Sequence, residues 1–214
     1  MKRTIATVSG AALALAIAGG SMLLPQRAAT ASAETAVLDD RMYEVDGVHS
    51  SVVFKIKHAG IANFYGRFNE LKGSFHIDRD NPSASTFRAE IPIDSVDTAN
   101  ERRDGHLKAA DFFNMRQYPT ATFVSTGMSE TDEAGVYELR GDLTMHGRKR
   151  AITAKLHDFG TGSFRGKDIA AFEARFEIKR ADFGMTTYIA EDGSDSGGLG
   201  NTVEIIIAVE GIKG

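Results

Sequence analysis

Apolar and polar residues alternate with a period of two over most of this chain. Segments Ser51–His58, Val136–Met145 and Ile169–Lys179 show the alternation most regularly, with every second side chain apolar and most of the others polar or charged. Such a pattern is typical of a β-strand that buries one face. It recurs in five further segments: Phe64–Asp78, Thr86–Asp94, Thr120–Thr126, Ile152–Leu156 and Val203–Val209. The sequence therefore predicts about eight half-buried strands.

Turn-forming residues separate these segments. Asp80-Asn81-Pro82 and His146-Gly147 predict tight turns, and the Gly- and Ser-containing segments Asp158–Lys167 and Glu191–Gly200 predict loops. Repeated half-buried strands favour an antiparallel sandwich or a closed barrel over a doubly wound sheet. A barrel of eight strands is either filled by its own side chains or holds one small ligand, and the strand pattern leaves both alternatives open.

Residues 97–117 interrupt the β pattern. Thr98 and Glu101 have the spacing of a helix capping box, Gly105 is expected to interrupt the helix, and Leu107–Phe113 is expected to form a second helical turn. The prediction is an all-β domain with one short helical insertion.

The first 33 residues have the order of a secretory signal peptide. Lys2 and Arg3 precede the apolar stretch Ile5–Leu24, and Ala31-Ser32-Ala33 offers small residues at a cleavage site. A retained membrane anchor is the alternative, but the glycines within the stretch and the lack of a basic stop-transfer flank argue against it. We predict a signal peptide at 1–33, a linker at 34–42 and one domain at 43–214. A periplasmic or secreted location follows, with no stable membrane span after processing.

Composition narrows the classes of function. The chain has a net charge of −4, and residues 1–33 carry three of its 25 basic residues and none of its 29 acids, so the predicted mature chain has a net charge of −7. Such an acidic chain is a poor candidate for binding nucleic acid, which needs clustered Lys and Arg. It has no Cys, so an exported form depends on its core for stability.

Three segments have a recognisable sequence: the run from Tyr43 through His49-Ser50 to His58, the run Ser95–Leu107 continuing to Tyr118-Pro119, and Gly141–Gly147. These segments resemble the YceI-like family of exported, polyisoprenoid-binding barrels with a lipocalin-like shape. The resemblance covers residues 43–212. It implies an antiparallel barrel of about eight strands whose interior takes a polyisoprenoid or another long-chain amphiphile, such as a quinone or a fatty amide. It implies no cofactor and no chemistry on the ligand, so we expect a protein that is not an enzyme. True lipocalins carry a Gly-x-Trp motif, and this chain has no Trp, so only the architecture is shared.

A long apolar ligand needs an interior of large apolar groups, and 13 Phe with no Trp suit this because Phe buries no N–H group. The predicted lining residues are Phe54, Ile56, Phe75, Ile77, Phe87, Ile91, Phe112, Phe113, Phe123, Phe172, Phe176, Val203, Ile205 and Ile207. For a polar head group, the basic cluster of Arg102, Arg103, His106 and Lys108 supplies candidates, with Arg103 and His106 first. Ion pairing on the helix surface is the alternative role of this cluster.

Other functions remain as alternatives. One is a structural or interaction barrel with a filled core that serves a membrane redox partner, and a homodimer is also compatible with the sequence. Another is a hydrolase, since Asp195-Ser196-Gly197-Gly198 superficially resembles a protease nucleophile segment, although its loop composition argues against it. No His-x-His or His-Glu-x-x-His motif is present, so we predict no metal, and His49, His58 and His76 could form a metal site only by meeting across strands.

Overall fold

The computed structural model describes residues 42–214. The predicted signal peptide, and all of the predicted linker except Met42, lie outside the described residues. Within them the strands are β1 Tyr43–Val45, β2 Ser51–His58, β3 Ala62–Phe68, β4 Lys72–His76, β5 Thr86–Pro92, β6 Val96–Asp97, β7 Thr120–Glu130, β8 Tyr137–Met145, β9 Arg148–Phe164, β10 Lys167–Lys179 and β11 Leu199–Lys213. One α-helix, α1, spans Glu101–Leu107, and short 3-10 turns lie at Pro82–Ala84, Ile93–Ser95 and Arg180–Phe183. No helix in the described part is long and apolar enough to cross a membrane.

The strands form one antiparallel sheet that closes on itself. Around the barrel the order is β1, β4, β5, β7, β8, β9, β10 and β11, and β11 pairs back with β1. The long strand β11 pairs with β2 over its first part and with β1 at its end. In the same way β3 and β4 occupy one position in the wall, and β5 and β6 occupy another. The barrel therefore has eight strand positions, which confirms the predicted all-β fold class.

The register of the strands shows at which end of the barrel each connection lies. The β2–β3 turn, α1 with the segment after it, the β8–β9 turn and the chain between β10 and β11 lie at one end. We call this the helix end. The β4–β5, β7–β8 and β9–β10 turns lie at the other end. The β1–β2 and β3–β4 links each join two strands that follow one another in one wall position, in the half of the wall next to these turns. We call this half, with its turns, the far end.

Several local predictions were wrong. The predicted loop Asp158–Lys167 is mostly strand, because β9 continues to Phe164 and pairs with β10 up to Lys167. Asn100, rather than Thr98, caps α1, its side chain accepting a hydrogen bond from the Arg103 N–H at 3.0 Å. Gly105 lies inside α1 and does not interrupt it. Composition misled for the loop and for Gly105, because small residues are tolerated where a hairpin or a short exposed helix is held by its neighbours.

The segment Phe64–Asp78, predicted as one strand, is divided into β3 and β4 by residues 69–71. The division lets the first half pair with β2 and the second with β1. Of the two glycines expected to permit bends there, Gly73 has a φ of 154° and packs against the β5 backbone, where a side chain would meet the Arg88 carbonyl oxygen. Gly66 has a different role, described below.

Candidate functional site

The barrel encloses a cavity of about 200 Å³. Nearly all of its lining is apolar and comes from the inward positions of the strands. Thirteen of the 14 predicted lining residues border it: Phe54, Ile56, Phe75, Phe87, Ile91, Phe112, Phe113, Phe123, Phe172, Phe176, Val203, Ile205 and Ile207. Ile77 does not; it lies just beyond β4 and packs as a partly buried residue against the core at the far end. The inward rows of side chains thus surround space instead of filling it.

Phenylalanines that lie on glycines help to keep this space open. Phe54 pairs with Gly66 across β2 and β3, and a Cβ at Gly66 would lie 2.2 Å from the tip of the Phe54 ring. A Cβ at Gly141 would lie 2.3 Å from the Phe123 ring. Both distances are far below van der Waals contact, so each ring rests on the bare backbone of the neighbouring strand. The rings therefore line the wall and leave the centre of the barrel free.

At the far end, an aromatic cluster fills the barrel. Phe75 is 2 % exposed and stacks on Tyr43 with ring centroids 5.4 Å apart. It also meets Phe172 edge to face at 5.1 Å and stacks on Phe87 at 6.1 Å. Paired aromatic rings in these geometries are favourable beyond the area they bury. The cluster of Tyr43, Phe75, Phe87 and Phe172 therefore closes the far end.

The cavity reaches the surface at the helix end. There β3 pairs with β6 only at Arg67 and Phe68, so Ala62–Gly66 has no strand partner on that side among the described residues. The segment that includes α1 occupies this region, and Arg103 is exposed yet borders the cavity. We call this opening the mouth.

Arg103, the first head-group candidate, is held in place at the mouth. Its Nε donates to the Thr98 hydroxyl at 2.8 Å, one terminal nitrogen donates to the Thr98 carbonyl at 2.6 Å, and the guanidinium lies 4.5 Å from the centre of the Phe64 ring. None of the described acidic side chains forms an ion pair with it. The arrangement keeps a positive charge next to an apolar opening.

Two other members of the predicted basic cluster have acidic partners, whereas the exposed Arg102 has none among the described side chains. His106, the second head-group candidate, does not border the cavity; its Nε2 lies 2.7 Å from an Asp111 carboxylate oxygen, with both side chains about half exposed. Lys108 forms an ion pair with Asp94 at 2.7 Å. Lys108 therefore forms a surface ion pair and His106 a surface hydrogen bond.

Sequence analysis missed two further arginines that border the cavity, the exposed Arg88 on β5 and the buried Arg180. Arg180 has the more extensive contacts. It is 6 % exposed, and its Nε donates to the Gly200 carbonyl at 2.8 Å. Its terminal nitrogens donate to the carbonyls of Met185, Thr187 and Leu199 at 3.2–3.4 Å. Burial lowers the pKa of Arg180 to about 10, which Asp195 partly opposes, so it stays charged at neutral pH. The sequence did contain a signal for an inward-facing Arg180, because it continues the alternating inward series of Phe172, Ala174, Phe176 and Ile178.

The other candidate centres are not assembled. The Ser196 hydroxyl lies 2.8 Å from that of Ser194 in an exposed loop, and no described histidine hydrogen-bonds to it. His49 lies at the far end beside Glu210, whereas His58 ends β2 at the helix end, so the histidines considered for a metal site are not brought together. His49 instead has Asp46 at 2.8 Å and Glu210 at 3.8 Å.

Comparison with known proteins identifies the family. The model of the YceI-like domain matches residues 43–211. Protein YceI of Escherichia coli O157:H7 is 38 % identical over 184 residues, which cover 85 % of this chain and 91 % of the relative. A UPF0312 protein of Pectobacterium carotovorum is 37 % identical over 184 residues, covering 86 % of this chain and 91 % of the relative.

Solved structures share the fold. BcnA of Burkholderia cenocepacia has a TM-score of 0.66 at 22 % identity, with 78 % of this chain and 98 % of that chain covered. A polyisoprenoid binding domain from Saccharophagus degradans has a TM-score of 0.59 at 17 % identity, covering 80 % of this chain and 98 % of that one. The YceI protein of Campylobacter jejuni has a TM-score of 0.62 at 27 % identity, covering 74 % and 90 %. The chain belongs to the YceI-like family.

Proposed function

We propose that this chain is an exported lipid-binding protein that holds a long apolar chain, such as a polyisoprenoid, inside its barrel for sequestration or transport. The observation that carries the proposal is the apolar cavity, closed by aromatic rings at one end and open beside Arg103 at the other. The similarity to a polyisoprenoid binding domain supports the choice of ligand. The proposal includes no catalysis.

The energetics suit such a ligand. Each methylene that leaves water contributes roughly 0.8 kcal/mol, so a few isoprene units suffice for tight binding after ordering losses. Forty carbons summed in this way would exceed the affinity ceiling of roughly 20 kcal/mol. Incomplete burial of a long chain is therefore expected, with part of the ligand outside the barrel.

The size of the cavity favours a slim ligand. Pockets for compact small molecules measure roughly 300–1,000 Å³, whereas this one measures about 200 Å³. A flexible isoprenoid or alkyl chain can thread between the phenylalanines of the wall, but a bulky ring system cannot enter without displacing them. For a quinone, the tail would therefore enter and the ring would stay at the mouth.

We propose that Arg103 receives the polar end of the ligand. Its guanidinium has no acidic partner among the described residues and is oriented by Thr98 and Phe64. Arginine binds phosphate and carboxylate groups through paired N–H donors, and such charge-assisted bonds are the stronger class of hydrogen bond. In this proposal Arg103 binds the head group of the ligand. His106 would contribute only after leaving Asp111.

Native mass spectrometry of freshly purified protein tests the proposal. The wild type should carry a long-chain lipid that organic solvent releases. Ala174→Phe should lose most of this lipid, because Ala174 borders the cavity and the new ring would occupy it. Ala151→Phe, on the exposed outer face of β9, is the matched control and should retain the lipid.

A ligand-free wild type that takes up no added prenyl lipid would overturn the proposal. Equal lipid content in Ala174→Phe and the wild type would place the lipid outside the barrel. Ligand-free protein that captures another protein through its outer face would favour the alternative of an interaction barrel.

A further inference from the structure

We propose that the helix end of the barrel docks on the surface of a lipid bilayer through two uncharged loops at residues 59–63 and 186–190. This inference rests on the proposed function and adds a partner to it. The first loop is Ala59-Gly60-Ile61-Ala62-Asn63, and the second is Thr186-Thr187-Tyr188-Ile189-Ala190. We call them the two rim loops.

The two rim loops are joined to each other and to the cavity. The Ala59 N–H donates to the Gly198 carbonyl at 3.1 Å, and the Leu199 N–H donates to the Tyr188 carbonyl at 3.0 Å. The Tyr188 ring lies 6.2 Å from that of Phe112, which borders the cavity. The Tyr188 ring of the second rim loop therefore lies next to a side chain that lines the cavity.

Each rim loop presents a large apolar side chain to solvent. Ile61 is 84 % exposed and Tyr188 is 58 % exposed. Tyr188 also has a φ of 62°, a conformation that costs an ordinary residue energy and that the hydrogen bond to Leu199 helps to hold. Aliphatic side chains and tyrosine are suited to the boundary between headgroups and acyl chains.

The surroundings of the exposed apolar side chains support a bilayer as the partner. Val48 and Phe164 are also exposed at the far end, but a charged residue lies within two positions of each. The helix end carries charges on α1 and after residue 190, but no charged residue lies within two positions of Ile61 or Tyr188. Glu191 and Asp192 follow the second rim loop directly, so the contact is expected to be apolar rather than a match to an anionic surface. A zwitterionic bilayer should suffice, and salt should have little effect.

The proposed cargo gives the docking a physical purpose. A prenyl chain that crossed water between membrane and barrel would expose its whole apolar surface, at roughly 0.8 kcal/mol for each methylene. If the rim loops enter the headgroup region, the mouth faces the acyl chains and most of that exposure is avoided. Docking would thus speed loading and unloading without changing the final affinity.

Single tryptophans test the docking directly, because the chain has no Trp of its own. We expect Ile61→Trp and Tyr188→Trp to shift their fluorescence to shorter wavelength when phosphatidylcholine vesicles are added. Val48→Trp is the matched control, since Val48 is 85 % exposed at the far end, and it should not shift. Unchanged spectra for both rim variants, or an equal shift for Val48→Trp, would overturn the inference.

A transfer assay separates this inference from the proposed function. Ile61→Asp should slow the uptake of a fluorescent prenyl lipid from vesicles at least about tenfold, because a charge opposes entry into the interface, while Val48→Asp should not. Native mass spectrometry of the same variants reports whether the cavity still holds lipid. Full lipid content with unchanged uptake would refute the docking alone, and absence of lipid from the wild type would refute the proposed function.

Discussion

The two ends of this barrel are built from different kinds of interaction. At the far end, four aromatic rings pack face to face and edge to face around Phe75, and charged turns surround them. At the helix end, the exposed Arg103 packs over the Phe64 ring and the buried Arg180 donates to backbone carbonyls. The rim loops there are uncharged. The far end resembles an ordinary close-packed core. The helix end has a buried apolar cluster of its own, which includes Ile93, Phe183 and Met185, and it adds these polar contacts around the mouth.

The distribution of unusual backbone conformations follows the same division. Of the six described residues other than glycine with positive φ, five lie at the helix end: Ala59, Ala99, Asn114, His146 and Tyr188. Only Arg165 lies at the far end. Strained conformations persist where the surrounding structure fixes them, and they are frequent at functional sites. Backbone strain and the cavity opening therefore occur together at the helix end.

Truncating an aromatic side chain should show the largest difference between the two ends. Phe75→Ala should lower the free energy of unfolding by about 4 kcal/mol, because it removes a ring that is 2 % exposed and leaves a void. Phe113→Ala, at the partly exposed helix end, should cost about half as much. Urea denaturation measures both. Equal losses would contradict a close-packed far end and an open helix end.

Substitution of Arg180 should cause the next largest loss in the free energy of unfolding. Arg180→Met leaves the carbonyls of Gly200, Thr187 and Leu199 without their donor, and we expect the free energy of unfolding to fall by about 3 kcal/mol. Arg180→Lys keeps the charge but not the planar fork, so it should recover only part of the loss.

Amide hydrogen exchange provides a local measurement of the same substitution. Protection should fall in residues 185–200 of Arg180→Met, with no change in the far-end strands. Uniform loss of protection throughout the barrel would mean that Arg180 supports the whole fold rather than this segment.

The smallest expected effect concerns the surface pair at the far end. Its hydrogen bond to Asp46 raises the pKa of His49 above the ordinary 6.5, and the same bond lowers the pKa of Asp46 below 3.8. The stabilisation from the pair is therefore fully present only between about pH 3.8 and 6.5. It declines as the pH rises through the pKa of folded His49, and also as the pH falls through that of folded Asp46.

NMR titration of the His49 ring checks this pair. Asp46→Asn should lower the pKa of His49 towards 6.5, with a slight destabilisation confined to that pH range. A His49 pKa that does not respond would show that the pair is not formed in solution.

Period-two alternation predicted the strands and most of the cavity lining, because inward positions of a closed barrel repeat along every strand. Ile77 is not at the cavity because β4 ends at His76, and strand ends are poorly defined by alternation. Arg180 was missed because a charged residue after Ile178 suggests the end of a strand. Its carbonyl partners come from residues 185–200, and their positions depend on tertiary structure. Whether the cavity was empty could not be predicted, because alternation shows where side chains point and not how far they reach.

The phenylalanines that rest on Gly66 and Gly141 have a consequence for relatives of this protein. The width of the cavity depends on how closely each ring packs onto the backbone of the wall. A single methyl group at either glycine would push a ring inward by more than an ångström. A one-atom change at either glycine would therefore adjust the width of the cavity, and with it the thickness of chain that enters, while every other inward-facing side chain stays the same.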